Sequence, residues 1–158
     1  MIENNWITLV KPNKVDYKIS DNKKFGTVVI EPLEKGFGTT LGNALRRVLL
    51  SSLQGTAISS IQINGGLHEF STIEGVREDV TDIIMNLKNV TFNSKSNHSQ
   101  KLSLNVKGPR EVLSSDFEEN PEVDIIDKEA IIMNVDSNRE VNLEIFLDVN
   151  KGYVSAEK

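Results

Sequence analysis

With 158 residues, 38% of them hydrophobic and 26% charged, the chain is long enough for one domain of ordinary size or two small intertwined ones, and its composition is not that of a disordered protein. A net charge of -5 with no massed basic residues excludes broad electrostatic binding to nucleic acid, so any DNA contact would be local or indirect. The absence of cysteine excludes disulfides, thiolate metal sites and cysteine nucleophiles, and no stretch approaches the ~20 apolar residues of a membrane span. The opening Met-Ile-Glu-Asn-Asn-Trp lacks a basic region followed by an apolar run, so a soluble, non-secreted protein is expected.

In chain order, alternation at Val15, Tyr17 and Ile19 predicts a first strand, and Thr27 to Ile30 a second. The next segment, Glu31-Pro-Leu-Glu-Lys-Gly-Phe-Gly-Thr-Thr-Leu-Gly-Asn-Ala-Leu-Arg-Arg-Val-Leu-Leu-Ser-Ser52, reads as a strand end, a glycine-rich turn and a helix with apolar residues on two faces. At ~100° per residue, Leu41, Ala44, Leu45, Val48 and Leu49 form one stripe suited to burial against a core or another helix. Asn43, Arg46, Arg47 and Leu50 fall on the other side, and Arg beside an apolar neighbour is a composition enriched at protein interfaces.

A strand is predicted next at Ala57 to Ile63, closed by Asn64-Gly-Gly66. A second helix is predicted from about Glu74 to Lys88, where Val76, Val80, Ile83, Ile84 and Leu87 share a face and Ser71-Thr-Ile-Glu74 has capping-box form, although Gly75 weakens its start. Val90 to Asn93 is a short strand candidate, and the polar Ser94 to Gln100 a loop or hairpin tip. Leu102, Leu104 and Val106 alternate, as do Val141, Leu143, Ile145, Leu147 and Val149, the clearest strand of all. Between them lie Lys107-Gly-Pro109, shorter candidates at Val123 to Ile126 and Ala130 to Val135, and Asp136-Ser-Asn-Arg139, which suggests a hairpin. The fold class is therefore α+β, mostly antiparallel sheets with two main helices.

Candidate chemistry is sparse. Gly36-Phe-Gly38, between a strand and a helix N-terminus, could hold phosphate, so a small nucleotide- or phosphate-binding enzyme using the Gly36 to Gly42 turn is the alternative reading. The spacing Gly36, Gly38, Gly42 is one residue longer than the dinucleotide fingerprint, and no Asp or Glu between Leu50 and Leu67 is available for a ribose hydroxyl. Glycines serving a tight turn and close helix packing explain the pattern better. His98, in a Ser/Asn-rich stretch, reads as a surface residue, and His68, beside Glu69, as a hydrogen-bonded strand residue in place of a general base. Glu118, Glu119, Glu122 and Asp124 read as a solvated acidic run. Neither a cofactor nor a metal ion is expected.

The Glu31 to Ser52 segment also closely resembles the signature of the bacterial-type DNA-directed RNA polymerase alpha subunit, amino-terminal domain. The likeness continues through Leu67-His-Glu-Phe-Ser71, Gly75-Val-Arg-Glu-Asp79, Asn86-Leu-Lys88 and Lys151-Gly-Tyr-Val154, strong over residues 29–90 and looser over 91–150. The resemblance implies a non-catalytic assembly subunit of a nucleotidyltransferase complex: an alpha homodimer in the bacterial cytoplasm, or in an organelle of bacterial descent, that docks the beta and beta-prime subunits. It implies a dimerisation subdomain, begun by residues 1–54, interrupted by an inserted strand-rich subdomain, residues 55–158. The family's beta-docking positions fall on Arg47, Leu50 and Asp82, and Lys88 aligns with a position used toward beta-prime. The stripe Leu41, Ala44, Leu45, Val48 and Leu49 then lies at the dimer interface. The family's return to the first subdomain, and its linked DNA-contacting domain, lie beyond the match at Lys158. A C-terminally truncated version is thus expected, with that stripe exposed and prone to self-association and with no direct DNA contact.

Overall fold

The computed structural model describes residues 7–21 and 25–155. The opening hexapeptide read for targeting signals lies outside the described residues. The chain divides into two compact units, Met1–Ser52 and Leu53–Lys158.

The first unit holds an antiparallel hairpin and a helix. β1 (Lys14–Ile19) and β2 (Gly26–Glu31) pair in register from Lys14 opposite Glu31 to Ile19 opposite Gly26. Lys14 Nζ lies 2.7 Å from Asp16 and 3.4 Å from Glu31, exposed pairs that add little stability. Both strands carry β-branched and aromatic residues, which favour the extended chain, yet none of their side chains is buried. α1 (Phe37–Ser51) starts at Gly36, whose left-handed φ of 90° turns the chain from the strand direction into the helix. It too has no buried residue.

The second unit contains the core. Its five-stranded antiparallel sheet has the order β5-β9-β3-β4-β7, formed by β3 (Gln54–Ile63), β4 (Phe92–Ser94), β5 (Gln100–Lys107), β7 (Val123–Ile125) and β9 (Glu140–Lys151). A separate pair joins β6 (Arg110–Leu113) to β8 (Ile131–Val135). The period-2 pattern of β9 puts Val141, Leu143, Ile145 and Leu147 on one face. They meet Leu102, Leu104 and Val106 of β5, so that Leu104 sits opposite Leu143 and Leu102 opposite Ile145. Between Ile58 and Ser60 the register of β3 on β9 slips by one residue, a bulge that leaves Ser59 out of the ladder, its hydroxyl donating to the Phe146 carbonyl at 3.2 Å. α2 (Val80–Lys88) adds Val80, Ile83 and Leu87 to the core, and β8 adds Ile132, Met133 and Val135. Phe92 and Phe117 pack edge to face there, centroids 6.5 Å apart.

The α+β class and the antiparallel sheets stand as read from the sequence. Three local readings change. The second helix begins at Val80, not near Glu74, because Gly75 takes a left-handed φ of 83° and the backbone after it pairs with β8: Val76 bridges Val135, and the Arg77 amide donates to the Asn134 carbonyl at 3.0 Å. A backbone donor used by a strand cannot close a helical turn. Asp79, not Ser71, is the cap; its carboxylate accepts from the Asp82 amide at 2.7 Å. The 136–139 spacer is no hairpin tip, since β8 pairs with β6 while β9 enters the other sheet between β5 and β3. Of the two readings of Ser94 to Gln100, loop or hairpin tip, the loop stands, because β4 and β5 are separated by β3 and β9.

Candidate docking surfaces

α1 presents both of its sequence-predicted faces. On the first, Leu41 is half-buried and Ala44, Leu45, Val48 and Leu49 are exposed, Leu49 at 60%. On the second, Arg47 and Leu50 stand one turn apart, with Leu50 62% exposed. The helix has no acidic residue in its first turn, no basic residue in its last and no side-chain N-cap, so neither charge nor a cap at its termini supports it. Ser51 closes the last turn by donating its hydroxyl to the Arg47 carbonyl at 2.6 Å.

The glycines of α1 behave differently from the close-packing expectation. Only Gly36 serves a turn; Gly38 and Gly42 lie inside the helix, and a methyl group at either would meet open space. The helix begins directly after Gly36, which leaves no multi-residue glycine loop to wrap a phosphate.

α2 buries one side and exposes a stripe. At ~100° per residue, Asp82 and Lys88 flank Met85, which is 55% exposed, and Asn89 continues the same strip. Asp82 lies in the first helical turn and Lys88 in the last, so each also complements the helix dipole.

Beside the start of α2 stands a turn whose role residue periodicity alone did not single out. Leu67 is 92% exposed and Phe70 76% exposed, although their backbone is well fixed. The Ser71 hydroxyl donates to the His68 carbonyl at 2.6 Å and accepts from the Leu67 amide at 3.2 Å. His68 Nδ1 accepts from the Phe70 amide at 3.2 Å, the Thr81 hydroxyl donates to the Glu69 carbonyl at 2.6 Å, and the Val80 amide donates to the Ser71 carbonyl at 3.1 Å. His68 is thus a turn residue and not the strand residue its alternation suggested. Two large apolar side chains held in water by an ordered backbone form the kind of exposed patch that marks an interaction site. The sequence signal was the apolar pair three residues apart inside Leu67-His-Glu-Phe70.

His98 lies exposed in the polar loop, its amide donating to the Ser96 hydroxyl at 3.2 Å. The acidic run 118–124 rims a cleft of about 600 Å³ floored by Leu102, Phe117 and Val123. Glu118 accepts from Asn105 Nδ2 at 3.2 Å, and Asp124 pairs with Lys95, also at 3.2 Å. Among the described residues no three His, Asp or Glu side chains are placed to hold a metal ion, and no helix is long and apolar enough to cross a membrane.

The model of the RNA polymerase Rpb3/RpoA insert domain matches residues 61–158, a span that takes in the core of the second unit, the 67–72 turn and the exposed stripe of α2. By that match over more than half of its length, the chain belongs to the RNA polymerase Rpb3/RpoA insert-domain family, as an alpha-type chain.

Proposed function

We propose that the chain is a non-catalytic assembly subunit of a bacterial-type DNA-directed RNA polymerase. Two copies associate through the stripe Leu41, Ala44, Leu45, Val48 and Leu49, and the pair forms a platform for the two large subunits. Arg47, Leu50 and Asp82 dock the beta subunit; Lys88 serves beta-prime. Residues 1–54 form the beginning of the dimerisation subdomain and residues 55–158 the inserted one. The observation that carries this reading is the insert-domain match over residues 61–158, joined to the chain's unusual distribution of apolar surface. α1 offers water an apolar stripe on one side and an Arg/Leu pair on the other, and α2 with the 67–72 turn offers Met85, Leu67 and Phe70. An exposed aromatic or leucine beside charged groups is the composition of an interface anchor with its rim. The net charge of -5 suits a subunit that contacts other proteins and leaves DNA to its partners. The setting is the bacterial cytoplasm or an organelle of bacterial descent.

Co-purification with the matching beta subunit, beside Arg47→Ala and with oligomeric state followed by light scattering, tests the reading. Retention of the wild type and loss of the variant are the expected results. A folded wild-type chain that stays monomeric and binds neither large subunit would remove the assembly role.

A further inference from the structure

We infer that Glu78 is a positioning residue: through a two-point clamp on Asn134 it sets how the 67–72 turn and the exposed stripe of α2 are presented. The inference rests on the docking reading for its functional half and on geometry alone for its structural half.

Both Glu78 oxygens are engaged on one residue. Oε2 accepts from the Asn134 backbone amide and Oε1 from Asn134 Nδ2, each at 2.7 Å. The Asn134 carbonyl is taken as well, by the Arg77 amide at 3.0 Å, so three polar groups of Asn134 are tied to two consecutive residues. On either side the pairing continues: Val76 bridges Val135, and the Asp136 amide donates to the Gly75 carbonyl at 2.9 Å. Residues 75–78 therefore act as a short strand laid on the edge of β8 that β6 leaves free. The carboxylate stands in where the regular ladder would otherwise end, and its bonds are of the short, charge-assisted kind.

Directly after Glu78 the chain enters the docking face. Asp79 caps α2 and bridges Thr72; Val80 and Thr81 hold the carbonyls of Ser71 and Glu69. The turn carrying Leu67 and Phe70 has its own internal bonds and is tied to this helix start by the Val80 amide and the Thr81 hydroxyl. If the segment 75–78 slides on β8, the cap, the turn and the stripe move with it. Glu78 also stands four residues before exposed Asp82 without sharing its surroundings: it is half-buried, and both of its oxygens are engaged.

The test uses the whole chain as wild type, Asn134→Asp, and Asn134→Asp combined with Glu78→Gln. Asn134→Asp keeps shape but sets a second carboxylate against Glu78 with no proton between them. The double change restores the pattern, because the new amide can donate to the new carboxylate while its carbonyl still accepts from the backbone. Amide hydrogen exchange at Ser71 and Val80 should rise about tenfold in Asn134→Asp, with β9 amides unchanged, and return to the wild-type range in the double variant. Unchanged exchange at both amides in Asn134→Asp would overturn the clamp. Should that variant not fold, Asn134→Ala removes only the side-chain bond, and the same rise at Ser71 and Val80, or its absence, decides the matter.

Dissociation from immobilised beta subunit, at a temperature where all variants are folded, is the second readout. It should be about tenfold faster for Asn134→Asp and restored in the double variant. A loosened turn with an unchanged dissociation rate would overturn the positioning role. A wild-type chain that does not bind beta would overturn the docking half, while the exchange result still decides the clamp.

Discussion

Leu143 in β9 and Leu49 in α1 are the same side chain on equally well-patterned elements. The first is wholly buried and the second 60% exposed. Around Leu143, the core-facing side chains of the unit Leu53–Lys158 find counterparts within the unit, with those of β9 beside β5 and β3 and those of α2 beside β8. In the unit Met1–Ser52, a hairpin and a helix of comparable quality bury nothing among the described residues. Periodicity measures how much burial an element requires, and it is silent about which surface supplies it. Where the supply is not in the same unit, the pattern points to a partner.

Four substitutions test that contrast. Leu143→Ala should lower unfolding stability by about 2 to 5 kcal/mol through lost burial and a residual cavity, read as a drop in urea midpoint. Arg47→Ala should leave that midpoint within about 0.5 kcal/mol and weaken beta-subunit capture by about 30- to 1,000-fold in a pull-down titration, because its cost is felt only at an interface. Gly75→Ala forces a β-carbon onto a left-handed backbone and into the Ser137 side chain, so a loss of about 1 to 3 kcal/mol is expected by thermal or urea unfolding. Leu49→Ala should change the monomer's stability by less than about 0.5 kcal/mol and reduce self-association in light scattering. A Leu49→Ala cost as large as that of Leu143→Ala, growing with protein concentration, would show that α1 is covered by a second copy in solution.

The parts legible in the sequence were those decided by neighbours along the chain. β9 announced itself by five alternating apolar residues, and the two faces of α1 followed from angular spacing alone. The parts that were not legible depended on distant residues. Helical periodicity ran back through Val76, but the backbone there is claimed by Val135 and Asn134, far along the chain. β6 went unnoticed because Arg110-Glu-Val-Leu113 is four residues long and only Val112 is buried. The docking roles of Arg47, Leu50, Asp82 and Lys88 came from a family likeness; the exposure of Leu67 and Phe70 came only from the fold, since a turn with two apolar residues reads in sequence as one more piece of core.

The strand order holds a consequence for synthesis. β9 pairs on both sides, with β5 and with β3, and among the described residues it is the last strand of the unit to leave the ribosome. Until residues 140–151 emerge, β3 and β5 have no neighbour between them. Domains built on such long-range pairing fold slowly and expose aggregation-prone edges while they wait. A pause in translation before Glu140 is therefore expected to be more damaging than one after Lys151, because it holds the unit without the strand that joins β5 to β3.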